Sequence, residues 1–322
     1  MNRRWKYGLY GLMLLCLIGL GLFAGRFVLY LAMRCMILAI FAMGYNVLFG
    51  RTGLLSFGHA AFFAGGAYGL GLVAIHLSSH PLLGILAGIL LAAAMALIIG
   101  YFCVRHTEIY FAMLTLAFGM MVFSLIWNLR SITGGDDGLV GISRAPLSLL
   151  FVRVPLAKAG HYYFFVLLFF LLSIGIIHRI LHSPFGLILS GIRENDRRIE
   201  FAGISLRRYR LAAFVISGMF AGLAGALSTL LDSNTAPFTA HWSHSASPVL
   251  VSLIGGIHTF AGPMVGSLIF VVLREIIERF THNWMLWFGI ILLVMIMGLR
   301  GGVVGALSDF FKRKPRRVAE RA

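Results

Sequence analysis

The chain has 322 residues, 60% hydrophobic and only 12% charged, where soluble domains carry about 25% charged residues. At ~20 apolar residues per bilayer crossing, this content is enough for nine or ten spans, which excludes a soluble enzyme, a disordered chain and a secreted disulfide scaffold. Net charge is +16, and 16 of the 27 basic residues sit in three clusters: Arg3, Arg4 and Lys6, then Arg193 to Arg210, then Arg300 to Arg321. Each cluster flanks an apolar run, the pattern of cytoplasmic segments rather than of a nucleic-acid-binding face. Such clusters also meet anionic membrane lipid.

Apolar runs fall at 7–25, 27–49, 54–77, 82–104, 108–129, 161–181, 211–231, 246–258, 263–280 and 283–300. They predict an all-α polytopic membrane protein of about ten transmembrane or re-entrant helices. The opening run is too long for a signal peptide and lacks an A-x-A site, so it reads as a first span. Counting crossings between the basic clusters puts both termini and the 182–210 loop in the cytoplasm and the 130–160 loop outside. The short 246–258 leg either spans or re-enters under cover of protein. Cys16, Cys35 and Cys103 lie in apolar runs without ligand spacing and read as buried free thiols. Glycines recur four apart at 21/25, 65/69, 84/88, 218/222 and 262/266, a close-packing signal between helices in lipid.

Catalytic and metal chemistry is missing from the sequence. It has no Gly-Lys pair and so no P-loop, no H-E-x-x-H and no G-x-S-x-G. Its histidines are scattered, and no metal site or cofactor is expected. Acidic residues fall in loops or near span ends, whereas a proton- or sodium-coupled carrier places a carboxylate within a span. Uphill transport by this chain therefore draws on another subunit's energy.

Three segments stand out. In 44–69, Asn46, Ser56, His59 and Tyr68 are polar groups in or beside spans, with glycines at 44, 50, 53 and 58. A broken helix lining a solute path and a tightly packed, hydrogen-bonded bundle both use these residues. In the second, Thr115 lies in Tyr110–Phe118, ahead of an acidic turn-rich loop at Thr133, Gly134, Gly135, Asp136, Asp137 and Gly138. That loop lacks the alternating carboxylates of a calcium site. In the third, 191–210, Ile192, Ile199 and Ala202 keep helical spacing among charges and Gly203 follows as a stop, the pattern of a short amphipathic cytoplasmic helix.

Together these segments resemble the permeases of branched-chain amino acid ABC importers, of the LivM type. The resemblance rests on Gly53–Phe63 with Gly66-Ala67-Tyr68, Tyr110-Phe111-Ala112 with Leu114–Phe118, Thr133–Leu139, Ile192–Asn195, and Phe214–Ser217 with Ala221–Leu227. It covers about residues 40–305, with His258 and Thr259 standing where the family commonly has Gly. It implies one permease domain over 1–322 in a bacterial inner membrane, working with a sister permease, two cytoplasmic ATP-binding subunits and an external solute-binding protein. The chain itself is then not an enzyme. Arg193, Glu194, Asn195, Arg197, Glu200 and Gly203 take the role of coupling to the ATPase. Asn46, Ser56, His59, Tyr68 and Thr115 take that of the translocation path. A permease for urea or short amides, a stand-alone carrier and a channel are the alternatives.

Overall fold

The computed structural model describes residues 14–149, 152–281, 283–298 and 301–306. The N- and C-terminal basic clusters, and with them the expected cytoplasmic termini, lie outside the described residues. Six helices are long and apolar enough to cross a membrane: α2 (Arg26–Thr52), α3 (His59–His76), α4 (Pro81–Cys103), α5 (Glu108–Asn128), α7 (Ala159–Leu181) and α10 (Leu206–Asp232). Shorter helices complete the bundle: α1 (Leu14–Phe23), α6 (Arg130–Thr133), α8 (Pro184–Glu194), α9 (Asp196–Phe201), α11 (Trp242–Gly255), α12 (Gly262–Phe280) and α13 (Trp284–Gly298), and α14 at 302–306. Helices dominate because lipid offers no partner to a backbone N–H or C=O, so each segment satisfies its own.

Helix ends follow local chemistry. Pro81 and Pro184 open α4 and α8 in the first helical turn, where a missing N–H costs nothing. At the end of α2, Gly53 adopts φ +77° and its N–H returns to the carbonyl of Phe49, the left-handed cap that glycine permits.

The centre of the bundle is α2, packed against α7, α10, α11 and α12, while α3, α4 and α10 form a tight trio. Glycines set that trio's spacing. A Cβ on Gly66 would lie 1.9 Å from the carbonyl oxygen of Gly222, and one on Gly88 would lie 2.5 Å from that of Gly66. The α11–α12 hairpin is as close, since a Cβ on Gly266 would lie 2.1 Å from the carbonyl oxygen of Val251. The expected pairing at Gly21/Gly25 is only half right: Gly21 packs on Tyr163 and Phe164, and Gly25 meets nothing.

Three expectations need correction. The 54–77 run is not helical from its start, because residues 53–58 are irregular and α3 begins at His59. The 191–210 segment is not one helix but takes in the end of α8, all of α9 and the start of α10, since Asn195 is extended (φ −161°, ψ 102°) and its side chain accepts from the N–H of Arg198, starting α9 afresh. Cys16, too, is exposed rather than buried. The 130–160 segment folds back onto the bundle: Leu139–Val140 (β1) pairs antiparallel with Asn234–Thr235 (β4), and Leu147–Leu149 (β2) pairs with Val152–Val154 (β3).

Candidate functional site

The break between α2 and α3 is the most polar place in the core. Ser56, His59, Thr115 and Ser217 are buried there without solvent contact. Irregular backbone inside a bundle leaves N–H and C=O groups that side chains must satisfy. Tyr45, one helical turn and more before the break, does so twice: its hydroxyl accepts from the Ser56 N–H (3.1 Å) and donates to the Ser56 carbonyl (3.2 Å). Thr115 Oγ1 accepts from the Phe57 N–H (3.2 Å) and donates to the Ala112 carbonyl (2.9 Å). Ser245 on α11 accepts from the Ala60 N–H at 2.8 Å, occupying one of the orphan donors at the start of α3.

His59 ties these pieces together. Its Nδ1 lies 2.8 Å from Ser56 Oγ and its Nε2 2.7 Å from Ser217 Oγ on α10. With hydroxyls at both nitrogens, the neutral ring donates at one and accepts at the other. The ring packs edge-on against Tyr45 (4.8 Å between centroids), Phe62 (5.3 Å) and Phe214 (5.6 Å). In this arrangement the cluster is closed on itself, with its polar atoms turned toward one another.

Of the five residues expected on a path, Ser56, His59 and Thr115 therefore converge. Asn46 and Tyr68 stand apart. Asn46 donates from its amide to the Ile257 carbonyl (3.1 Å) in the α11–α12 turn, and its Oδ1 is buried with no partner among the described residues. Tyr68 lies nine residues along α3 from His59, ~13 Å at the helical rise, and its buried hydroxyl is likewise unpartnered among the described residues. Tyr45 and Ser245 are not singled out by the sequence, and Ser217, though inside the Phe214–Ser217 motif, is not assigned to the path there. Nothing in the sequence pairs these residues with the break, and only the fold brings 45, 56, 59, 217 and 245 together.

In the 130–138 loop Thr133 is buried, its Oγ1 donating to the Ile126 (2.6 Å) and Leu129 (2.9 Å) carbonyls. Gly134, Gly135 and Gly138 all take positive φ, and Asp136 and Asp137 point to the surface. Nearby, Arg144 caps α10 by donating to the carbonyls of Leu230 and Leu231.

At the other end of the bundle, α8 grips α2. The Arg193 guanidinium donates to the Gly50 carbonyl, and Arg51 donates to Ser190 Oγ at 3.2 Å. Burial first, and the adjacent Arg51 second, push the Arg193 pKa down. The same two arginines add to burial in lowering that of His258 in the α11–α12 turn. Asp196 of α9 pairs with Arg210 of α10. Glu194, Arg197, Glu200 and Gly203 are exposed, and so is Phe201, at 90%. Phe201 is not singled out by the sequence, where the apolar stripe is Ile192, Ile199 and Ala202.

A bundle of apolar helices with a buried, polar interruption at its core is a multi-pass membrane protein of the permease kind. The family described as branched-chain amino acid transport system / permease component matches residues 27–300, and the chain belongs to it. Among curated relatives, the high-affinity branched-chain amino acid transport system permease protein LivM of Escherichia coli (strain K12) is 30% identical over 308 residues, covering 88% of this chain and 71% of that protein. LivM of Salmonella typhimurium shows the same identity and coverage. A probable LivM permease of Methanocaldococcus jannaschii is 25% identical over 258 residues, 75% of this chain and 71% of that one. No solved structure matches the chain.

Proposed function

We propose that this chain is one transmembrane half of an ATP-driven importer for branched-chain or related amino acids, in a bacterial inner membrane. Ten crossings (α1, α2, α3, α4, α5, α7, α10, α11, α12 and α13) put both termini and the α8–α9 segment in the cytoplasm, and the 130–160 loop outside. A sister permease, two ATP-binding subunits and an external solute-binding protein complete the machine.

One observation carries the reading: α8 is bonded to the last turn of α2 through Arg193–Gly50 and Arg51–Ser190, immediately before the break at 53–58. An ATPase that seats the exposed face of Arg197, Glu200 and Phe201 can displace α8 and α9. Through Arg193 that displacement reaches the end of α2, and through residues 53–58 it reaches the Ser56–His59–Ser217 plug. A rigid-body transition needs an element with two arrangements, and in this reading the plug takes that role. Its internal hydrogen bonds are individually modest, about 0.5–1.5 kcal/mol net each, so a passing solute meets weak contacts rather than a trap.

The experiment is to reconstitute the complex in vesicles with its binding protein and measure leucine entry with and without ATP. Uptake stops without ATP and with charge reversal at Arg193, Glu194 and Arg197. Accumulation by the chain alone, without companion proteins, overturns the reading.

A further inference from the structure

Between α2, α3, α10, α11 and α12 lies a cavity of about 130 Å³ that none of the contacts above uses. On α2 its wall is Leu31, Arg34, Leu38 and Phe41, and on α12 it is Phe270, Arg274 and Glu278, each set following the i, i+3, i+4 spacing of one helix face. The two helices run antiparallel, since Arg279 near the end of α12 stacks on Phe27 at the start of α2 (4.8 Å). Antiparallel stripes bring the charged members of both to the same end.

That end holds two guanidiniums and two carboxylates, from Arg34, Arg274, Glu275 and Glu278, and their formal charges cancel. Arg274 pairs with Glu278 at 2.8 Å and Glu275 with Arg279 at 3.3 Å. Among the described residues no carboxylate pairs with Arg34, which meets the face of Tyr30 at 5.7 Å. The other end is aromatic. Phe41 and Phe63 are 5.2 Å apart, and His244 packs on Phe63 at 4.6 Å. The buried Nδ1 of His244 has no hydrogen-bond partner among the described residues.

Arg34 and Glu278 are exposed at the rim of the cavity, with Arg274 and Glu275 half-buried beside them. Ionisable side chains on apolar helices mark solute contacts where they line a cavity. A balanced set of both signs at one end, above an apolar floor, fits a ligand with both charges on one small head and an apolar tail. We infer that the cavity receives an aliphatic α-amino acid as its zwitterion. The carboxylate lies on Arg34, whose planar fork suits it bidentately. The ammonium lies between Glu275 and Glu278, and the side chain rests on Phe41 and Phe63. Urea and short amides bear no charges for this end and no tail for the other. This inference rests on the permease reading above and names its ligand class and its receiving site.

The test uses the assembled transporter in vesicles, with leucine and urea as probes and assembly checked by co-purification. Arg34→Gln lowers leucine uptake about tenfold, as loss of a charge-assisted fork predicts, and Arg34→Lys recovers part of it. Ser247→Cys, a near-isosteric change in the cavity lining, gains reactivity to a small methanethiosulfonate above the wild-type background. Leucine slows that reaction, whereas urea, isopentylamine and 4-methylpentanoate do so far less. Equal leucine uptake by wild type and Arg34→Gln, or labelling of the Ser247→Cys variant that leucine leaves unchanged, overturns the site while the importer reading stands. A wild-type complex that moves urea and not leucine overturns both.

Discussion

Arg193 and Gly50, 143 positions apart in sequence, are joined by a hydrogen bond from guanidinium to carbonyl. The acceptor belongs to the last turn of α2, where carbonyls lack intrahelical donors and the macrodipole favours a cation. The bond is thus both a helix cap and a mechanical link between α8 and the backbone break. Arg193→Ala removes the link while Arg51–Ser190 still holds α8 in place. The expected result is an importer that assembles but moves about tenfold less solute per ATP hydrolysed, a loss equivalent to ~1.4 kcal/mol of coupling. Paired measurement of uptake and hydrolysis in vesicles checks this, and an unchanged ratio would reduce Arg193 to a simple cap.

The trio of α3, α4 and α10 has no room for a side chain at its seam. Gly66 and Gly222 touch backbone to backbone, and a methyl at Gly66 would sit 1.9 Å from a carbonyl oxygen. Main chain cannot swing aside as a flexible side chain can, so Gly66→Ala must push the helices apart. Overpacking of this kind costs ~1–3 kcal/mol or more. Lower yield and a lower melting temperature in detergent are expected for Gly66→Ala. Gly175→Ala, on α7, where nothing lies within 4 Å of the added Cβ, should behave as wild type.

Much of this is legible in the sequence, for physical reasons. Apolar runs bounded by Pro, Gly and charge locate the long helices to within a few residues, because length and hydropathy are local properties. The glycines of 53–58 draw attention to that stretch, yet nothing local distinguishes a helix that breaks from one that packs closely. Of the partners that settle the matter, Tyr45 lies two turns back on α2, and Thr115 and Ser217 come from α5 and α10. Asn195 is likewise hidden: a polar residue in a charged amphipathic stretch fits a continuous helix as well as an N-cap. Glu275 and Glu278 look like span-end charges, and only the antiparallel placement of α12 beside α2 turns them toward Arg34.

Ser217 tests whether the plug is built or incidental. It is fully buried and its hydroxyl lies 2.7 Å from His59 Nε2. Ser217→Ala takes away one partner and leaves a buried ring nitrogen unsatisfied, which costs ~1–3 kcal/mol. Ser217→Cys, with a weak polar hydrogen-bonding group of similar size, should lose less. Thermal unfolding in detergent ranks the three proteins, and indistinguishable melting of wild type and Ser217→Ala would mean that the His59 hydrogen bonds carry no net stability.

Tyr45→Phe isolates hydrogen bonding from packing at the break itself. The ring stays against His59, 4.8 Å away, while the only atom lost is the hydroxyl that serves both the N–H and the C=O of Ser56. Each buried backbone group left unpaired costs ~1–3 kcal/mol, so Tyr45→Phe should destabilise the protein at least as much as Ser217→Ala. The damage should also be local. Between Gly53, whose N–H still bonds the Phe49 carbonyl, and Gly58 the backbone N–H groups of residues 54–57 have no helical bonds to fall back on, and losing the tyrosine staple favours opening there ahead of global unfolding. Hydrogen exchange of the 53–58 amides should therefore accelerate in Tyr45→Phe, with the α3–α4–α10 trio still protected. Uniform acceleration across all the helices would show instead that Tyr45 supports the whole bundle and not the break.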